Sequence, residues 1–131
     1  IVRNRTHVAM DGMGVFASTM SKVPKCIKNL LENFCIDVDE VDYLLLHQAN
    51  QYIDEKIRKK MRFSKDKTPY CLEKFGNTSS GTIPMTMVTK ISEQLRGGKN
   101  KLVMSGFGAG LSWAAVYVET EFIEVLPLIE I

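Results

Sequence analysis

A strand-length apolar run, Tyr43-Leu44-Leu45-Leu46, breaks off into His47-Gln48-Ala49-Asn50, and a new apolar stripe begins straight after it. Successive large apolar residues suit a strand covered on both faces, as in a parallel or mixed sheet lying under helices. Ala49, Ile53, Ile57 and Met61 then step by four, the period of a helix with its basic residues turned outward. A strand feeding directly into a helix delivers the imidazole of His47 to the carboxyl end of the sheet. That is where α/β proteins place their chemistry.

The rest of the chain fits the same plan. His7 to Met10 reads as a short strand closed by the turn dipeptide Asp11-Gly12. Phe16, Met20, Val23, Ile27, Leu30, Leu31 and Phe34 form a helical stripe, with Pro24 inside it predicting a kink or break near Val23. A polar connector over 63–82 precedes a third helix marked by Ile83, Met87, Ile91 and Leu95. Pro84 is tolerable in its first turn, and Gly97-Gly98 ends it. Leu102 to Met104 and Trp113 to Val118 read as two further buried strands joined in an antiparallel hairpin by a glycine-rich turn. The order β-α-β-α-(connector-α)-β-β argues for an α/β fold, a mixed sheet with helices packed on it, in one domain over residues 1–131. The tail from Phe122 is apolar, and its sequence does not reveal what covers it.

Composition narrows the function classes. The 131 residues suffice for a hydrophobic core, and a net charge of +2 does not argue for nucleic acid. Lys56, Arg58, Lys59, Lys60, Arg62, Lys65 and Lys67 crowd together, yet no series of aromatic residues accompanies them as stacking platforms. A solvated helix face or the docking of an acidic partner explains the run better. No apolar run approaches the roughly 20 residues of a membrane span, and no signal peptide is visible. Cys26, Cys35 and Cys71 lack metal-ligand spacing and read as free thiols of a reducing cytoplasm, with no metal or cofactor expected. The chain starts at Ile1 rather than at Met and reads as a piece of something longer.

Three polar turns sit at element boundaries: His47-Gln48-Ala49-Asn50, Gly76-Asn77-Thr78-Ser79, and Gly106-Phe107-Gly108-Ala109-Gly110 followed by Ser112-Trp113. With these motifs in this order, the chain closely resembles β-ketoacyl-acyl-carrier-protein synthase III, an initiating condensing enzyme of the thiolase-fold superfamily, from about Met10 to Val118. Such enzymes are built from two similar β-α-β-α-β-β halves, and the resemblance is to the second, C-terminal half only. The family's nucleophilic cysteine belongs to the first half. None of the three cysteines here has its sequence context, so all three are expected to be non-catalytic.

The resemblance implies a decarboxylating condensation of an acyl primer with a malonyl thioester on acyl carrier protein, in fatty acid or related biosynthesis. It makes His47 and Asn77 the catalytic pair, two neutral donors for the enolate oxygen of the malonyl thioester. The turn at Gly108 and Ala109 matches the backbone N–H that stabilises the tetrahedral oxyanion at the acylated cysteine. Phe107 matches the aromatic beside that cysteine and Phe16 an aromatic lining the substrate tunnel, while Asn50 is a substrate-side or supporting residue. Lys59 and Lys60 match basic positions on the helix that docks the carrier protein. Coenzyme A or phosphopantetheine thioesters enter as substrates. Tyr52 and Ala17 depart from cationic residues frequent in the family, which puts the usual carrier or coenzyme A preference in doubt. The isolated chain is expected to be inactive in acyl transfer, and its uncovered half-surface predicts a homodimer. The alternative is a non-catalytic thiolase-like half-domain for carrier binding or oligomerisation.

Overall fold

The computed structural model describes residues 10–108 and 110–129, so His7, Ala109 and most of the strand expected at 7–10 lie outside them. Helix α1 (Gly12–Asn33) starts at Asp11, whose Oδ1 accepts the N–H of Gly14 at 3.0 Å and so satisfies one unpaired donor of the first turn. The break expected at Pro24 does not occur. The proline ring leaves the carbonyl of Met20 without its helical donor, and the ammonium of Lys60 takes that place at 3.0 Å. A buried Val23-Pro24-Ile27-Leu31 stripe faces the sheet.

Three strands, β1 (Tyr43–Leu46), β2 (Asn100–Gly108) and β3 (Ser112–Thr120), lie in the order β1-β2-β3. β1 runs parallel to β2 with Leu44 beside Val103, and β3 pairs antiparallel with Phe107 beside Trp113. The sheet is therefore mixed. Strand alternation divides its residues between two cores. Leu44, Leu46 and Val103 meet α1 and helix α2 (Gln51–Lys60) through Val23, Ile27 and Ile57. Leu45 and Leu102 turn the other way, toward Ile91 and Leu95. The connector also covers β1, since the Leu44 N–H donates to the carbonyl of Lys67 at 2.8 Å.

The connector holds the single turn α3 (Leu72–Phe75). The third helix expected from the sequence is two, α4 (Thr82–Lys90) and α5 (Ser92–Gly97), parted where Ile91 takes φ −133° and ψ 18°. Thr82, Ile83, Thr86, Val88 and Thr89 crowd α4 with β-branched side chains that fit a helix less readily. Burial of Ile91 in the second core then fixes the break.

β3 is not the buried strand expected. It forms a sheet edge: Val116 is 46% exposed on the face away from α1, and Trp113, on the α1 face with Ala115 and Tyr117, is still 42% exposed with the Lys22 ammonium 5.7 Å from its ring centroid. The apolar tail is partly accounted for. Val125 enters the second core, the Ile123 N–H donates to the carbonyl of Leu95 at 3.1 Å, and Arg96 donates to that of Val125 at 3.2 Å. Phe122, Leu126 and Ile129 remain exposed.

Two polar residues of α2 are buried, and one of them, Arg58, departs from the expectation that the basic residues turn outward. Arg58 is buried, donating from Nη1 to the carbonyl of Phe63 at 2.7 Å and from Nη2 to Glu55 at 2.8 Å. Asp54 is fully buried, and neither carboxylate oxygen has a hydrogen-bond partner. Loss of solvation, aided by the charge of Glu55, pushes its pKa up to about 8. No described helix is long and apolar enough to cross a membrane.

Candidate functional site

The carboxyl ends of β1 and β2, the start of α1 and the turns before α4 line an open cavity of about 920 Å³. His47 enters it from the end of β1, where its backbone N–H continues the ladder by donating to the carbonyl of Ser105 at 2.8 Å. The ring is half-buried, meets Phe107 edge-on with centroids 5.2 Å apart, and sets Nδ1 at 2.8 Å from Thr82 Oγ1. Loss of solvation lowers its pKa, more than the nearby carbonyl of Ser79 raises it, and so favours the neutral imidazole.

Asn77 lines the same cavity from the turn between α3 and α4. Gly76 enters that turn at φ +63°, a conformation glycine adopts without strain. The Asn77 Oδ1 accepts the N–H of Ser79 at 2.8 Å and supports Ser79 at φ +56°. With its oxygen committed, the side chain has its NH₂ group to offer a ligand. Phe107 and Gly108 complete the wall from β2, and Gly106 and Gly110 add further backbone. A Cβ built on Gly106 or Gly108 would meet nothing within 4 Å, so these glycines keep the space open.

The structure thus brings His47, Asn77, Phe107 and Gly108 to one cavity, while Ala109 lies outside the described residues. It does not bring Phe16 or Asn50 to that lining. Phe16 stacks on Tyr52 at 5.9 Å between centroids, and Asn50 caps α2 by accepting the Tyr52 N–H at 2.8 Å. Of the two lysines expected to meet a carrier, Lys59 is exposed, whereas Lys60 is engaged with the Met20 carbonyl. Cys26, Cys35 and Cys71 are free thiols, and none of them lines the cavity.

Sequence reasoning missed Asp11 and Thr82, which also line it. Asp11 precedes a helical stripe and could have been read as an N-cap. The Thr82 contact spans 35 positions and leaves no local signal. Gln48, next to His47, is fully buried; it donates to Thr86 Oγ1 at 2.7 Å and accepts the N–H of Cys71 at 2.9 Å. Adjacent residues after β1 are therefore fastened to threonines one turn apart on α4.

Chemically, the arrangement offers two neutral polar side chains beside an apolar, backbone-walled cavity, suited to an oxygen on which negative charge develops. Known proteins agree on the fold. β-Ketoacyl-(acyl-carrier-protein) synthase III of Streptococcus gordonii is 40% identical over 114 residues, 86% of this chain and 35% of the relative. Its counterpart in Oceanobacillus iheyensis is 38% identical over 110 residues, 84% of this chain and 35% of the relative. The crystal structure of a 3-oxoacyl-(acyl-carrier-protein) synthase from Burkholderia xenovorans superposes with a TM-score of 0.85 at 31% identity, over 90% of this chain and 34% of that one. This chain spans about a third of the length of these relatives. Residues 31–120 match the family described as 3-oxoacyl-(acyl-carrier-protein (ACP)) synthase III C terminal, with the thiolase-like mixed sheet and overlying helices described above, and the chain belongs to that family.

Proposed function

We propose that this chain supplies the malonyl-thioester side of a decarboxylating condensation that yields a β-ketoacyl thioester. His47 and Asn77 donate hydrogen bonds to the thioester oxygen as carbon dioxide leaves and the enolate forms. The backbone of the turn at Gly108 and Ala109 stabilises the tetrahedral oxyanion when that enolate attacks an acyl group held on cysteine. The cysteine comes from outside these residues. The observation that carries this reading is the meeting of His47 and Asn77 in one cavity that none of the described cysteines lines. Acyl-coenzyme A, malonyl thioesters and acyl carrier protein are the implied substrates and partner, with exposed Lys59 as a basic contact for the carrier.

The test uses the purified chain. Malonyl-coenzyme A should perturb the amide resonances of residues 47, 77 and 106–108, and His47→Ala should abolish the effect. Incubation with acetyl-coenzyme A should leave the intact mass unchanged. An acyl adduct on Cys26, Cys35 or Cys71 would overturn the assignment of the nucleophile to another segment. Perturbations confined to residues far from the cavity would overturn the site.

A further inference from the structure

We propose that Thr82 is a positioning residue that fixes the tautomer of His47, keeping its proton on Nε2 so that the ring offers the cavity a donor. The inference deepens the reading above and rests on it for its functional meaning, but its geometry stands alone.

Thr82 opens α4 and is 1% exposed. Its hydroxyl has one proton and two candidate acceptors, His47 Nδ1 at 2.8 Å and the carbonyl of Ser79 at 3.2 Å. A hydroxyl bond to oxygen ordinarily spans about 2.5–3.0 Å, so the Ser79 contact is long and Nδ1 is the better acceptor. A neutral imidazole has one donor and one acceptor nitrogen. If Nδ1 accepts from Thr82, Nε2 carries the hydrogen. Burial of the ring favours the neutral form, in which the two nitrogens differ.

The surroundings prevent the ring from evading the choice. Phe107 stands edge-on to it at an interplanar angle of 82°. Thr82 is held in turn, since Thr86 Oγ1 donates to its carbonyl at 2.8 Å and Gln48 holds Thr86 at 2.7 Å. Asn77 gives an independent parallel. Its oxygen is committed to Ser79, which leaves N–H groups for the cavity. With Thr82 donating, both side chains present hydrogen to the same space, as an anionic oxygen requires. With the opposite tautomer, the Nε2 lone pair would face that oxygen and His47 would be a base instead.

The chain contains only His7 and His47, so His7→Gln leaves a single imidazole to observe. Long-range proton–nitrogen correlation spectra of ¹⁵N-labelled protein in that background should show the Nε2–H pattern for the parent and for Thr82→Ser. Thr82→Val should lose the single-tautomer pattern while its circular dichroism stays that of the parent. An Nδ1–H pattern in the parent, or an unchanged pattern in folded Thr82→Val, would overturn the proposal. Should the valine variant fail to fold, Thr82→Ala, which removes the same hydroxyl without adding bulk, takes its place in the comparison with the parent and serine spectra. A parent in the Nε2–H form that binds no malonyl thioester would support the Thr82 assignment and overturn the functional reading.

Discussion

The ammonium of Lys60 lies 3.0 Å from the carbonyl oxygen of Met20, the acceptor that Pro24 deprives of its helical partner. The residue marked for carrier docking is thereby a stitch between α2 and α1. The contact is exposed, so its loss should be modest. Lys60→Met is expected to lower unfolding stability by about 0.5–1 kcal/mol, the net worth of one such hydrogen bond. In a Pro24→Ala background, where residue 24 has an N–H, the same substitution should cost next to nothing. Chemical denaturation of the four proteins measures that coupling. Equal costs in both backgrounds would refute the stitch.

Asp54 should give the fold an unusual pH response. Its folded pKa of about 8 lies far above the ordinary carboxylate value of 3.8. Between the two, the unfolded chain has released a proton that the folded chain still holds. Stability is therefore greatest below the unfolded value and falls with rising pH, by about 1.4 kcal/mol per unit at most, until both states are ionised. Asp54→Asn should flatten the decline. Urea midpoints measured from pH 5 to pH 9 would show it, and parallel curves for the two proteins would contradict it.

Gly106 of β2 and Gly110 of the β2–β3 turn should respond unequally to alanine. Gly110 has φ +136°, and a Cβ there would lie 2.6 Å from Ser112 Oγ. Gly110→Ala should cost about 1–3 kcal/mol, the range for such backbone strain. Gly106 has open space and no positive φ, so Gly106→Ala should leave stability unchanged or raise it by about 0.5 kcal/mol. Its methyl group should instead weaken binding of malonyl-coenzyme A, as calorimetry can show.

The edge strand carries the last prediction. β3 presents Trp113 and Val116 to solvent along an edge that no described strand pairs. Such edges invite association. We expect the chain to sediment as a homodimer and Val116→Lys to shift it toward monomer. A parent that is monomeric at high concentration would rule this out.

Only His47 was legible from its place at a strand end; Asn77, Phe107 and Gly108 were legible through the motifs that carry the family resemblance. The mixed sheet was legible because apolar runs of strand length alternate with four-residue steps. Thr82 was not, since it matters only through a ring 35 positions away. Asp54 and Arg58 hid in the open. Arg58 was expected to face outward with the other basic residues of α2, and burial overrode it, with Phe63 receiving the guanidinium; the burial of Asp54 leaves no local signal. Pro24 does not break the helix, and a lysine from another helix takes the carbonyl it leaves free. The exposure of β3 could not be read from an apolar composition that suits a core strand equally well.

Part of the cavity wall at Gly106, Gly108 and Gly110 has no side chains at all. A wall lined by leucine or methionine reshapes itself around a guest by turning a bond; main chain cannot. What this side of the cavity admits is therefore set by a fixed outline, and any broadening or narrowing of its choice of guest there has to come through replacement of a residue.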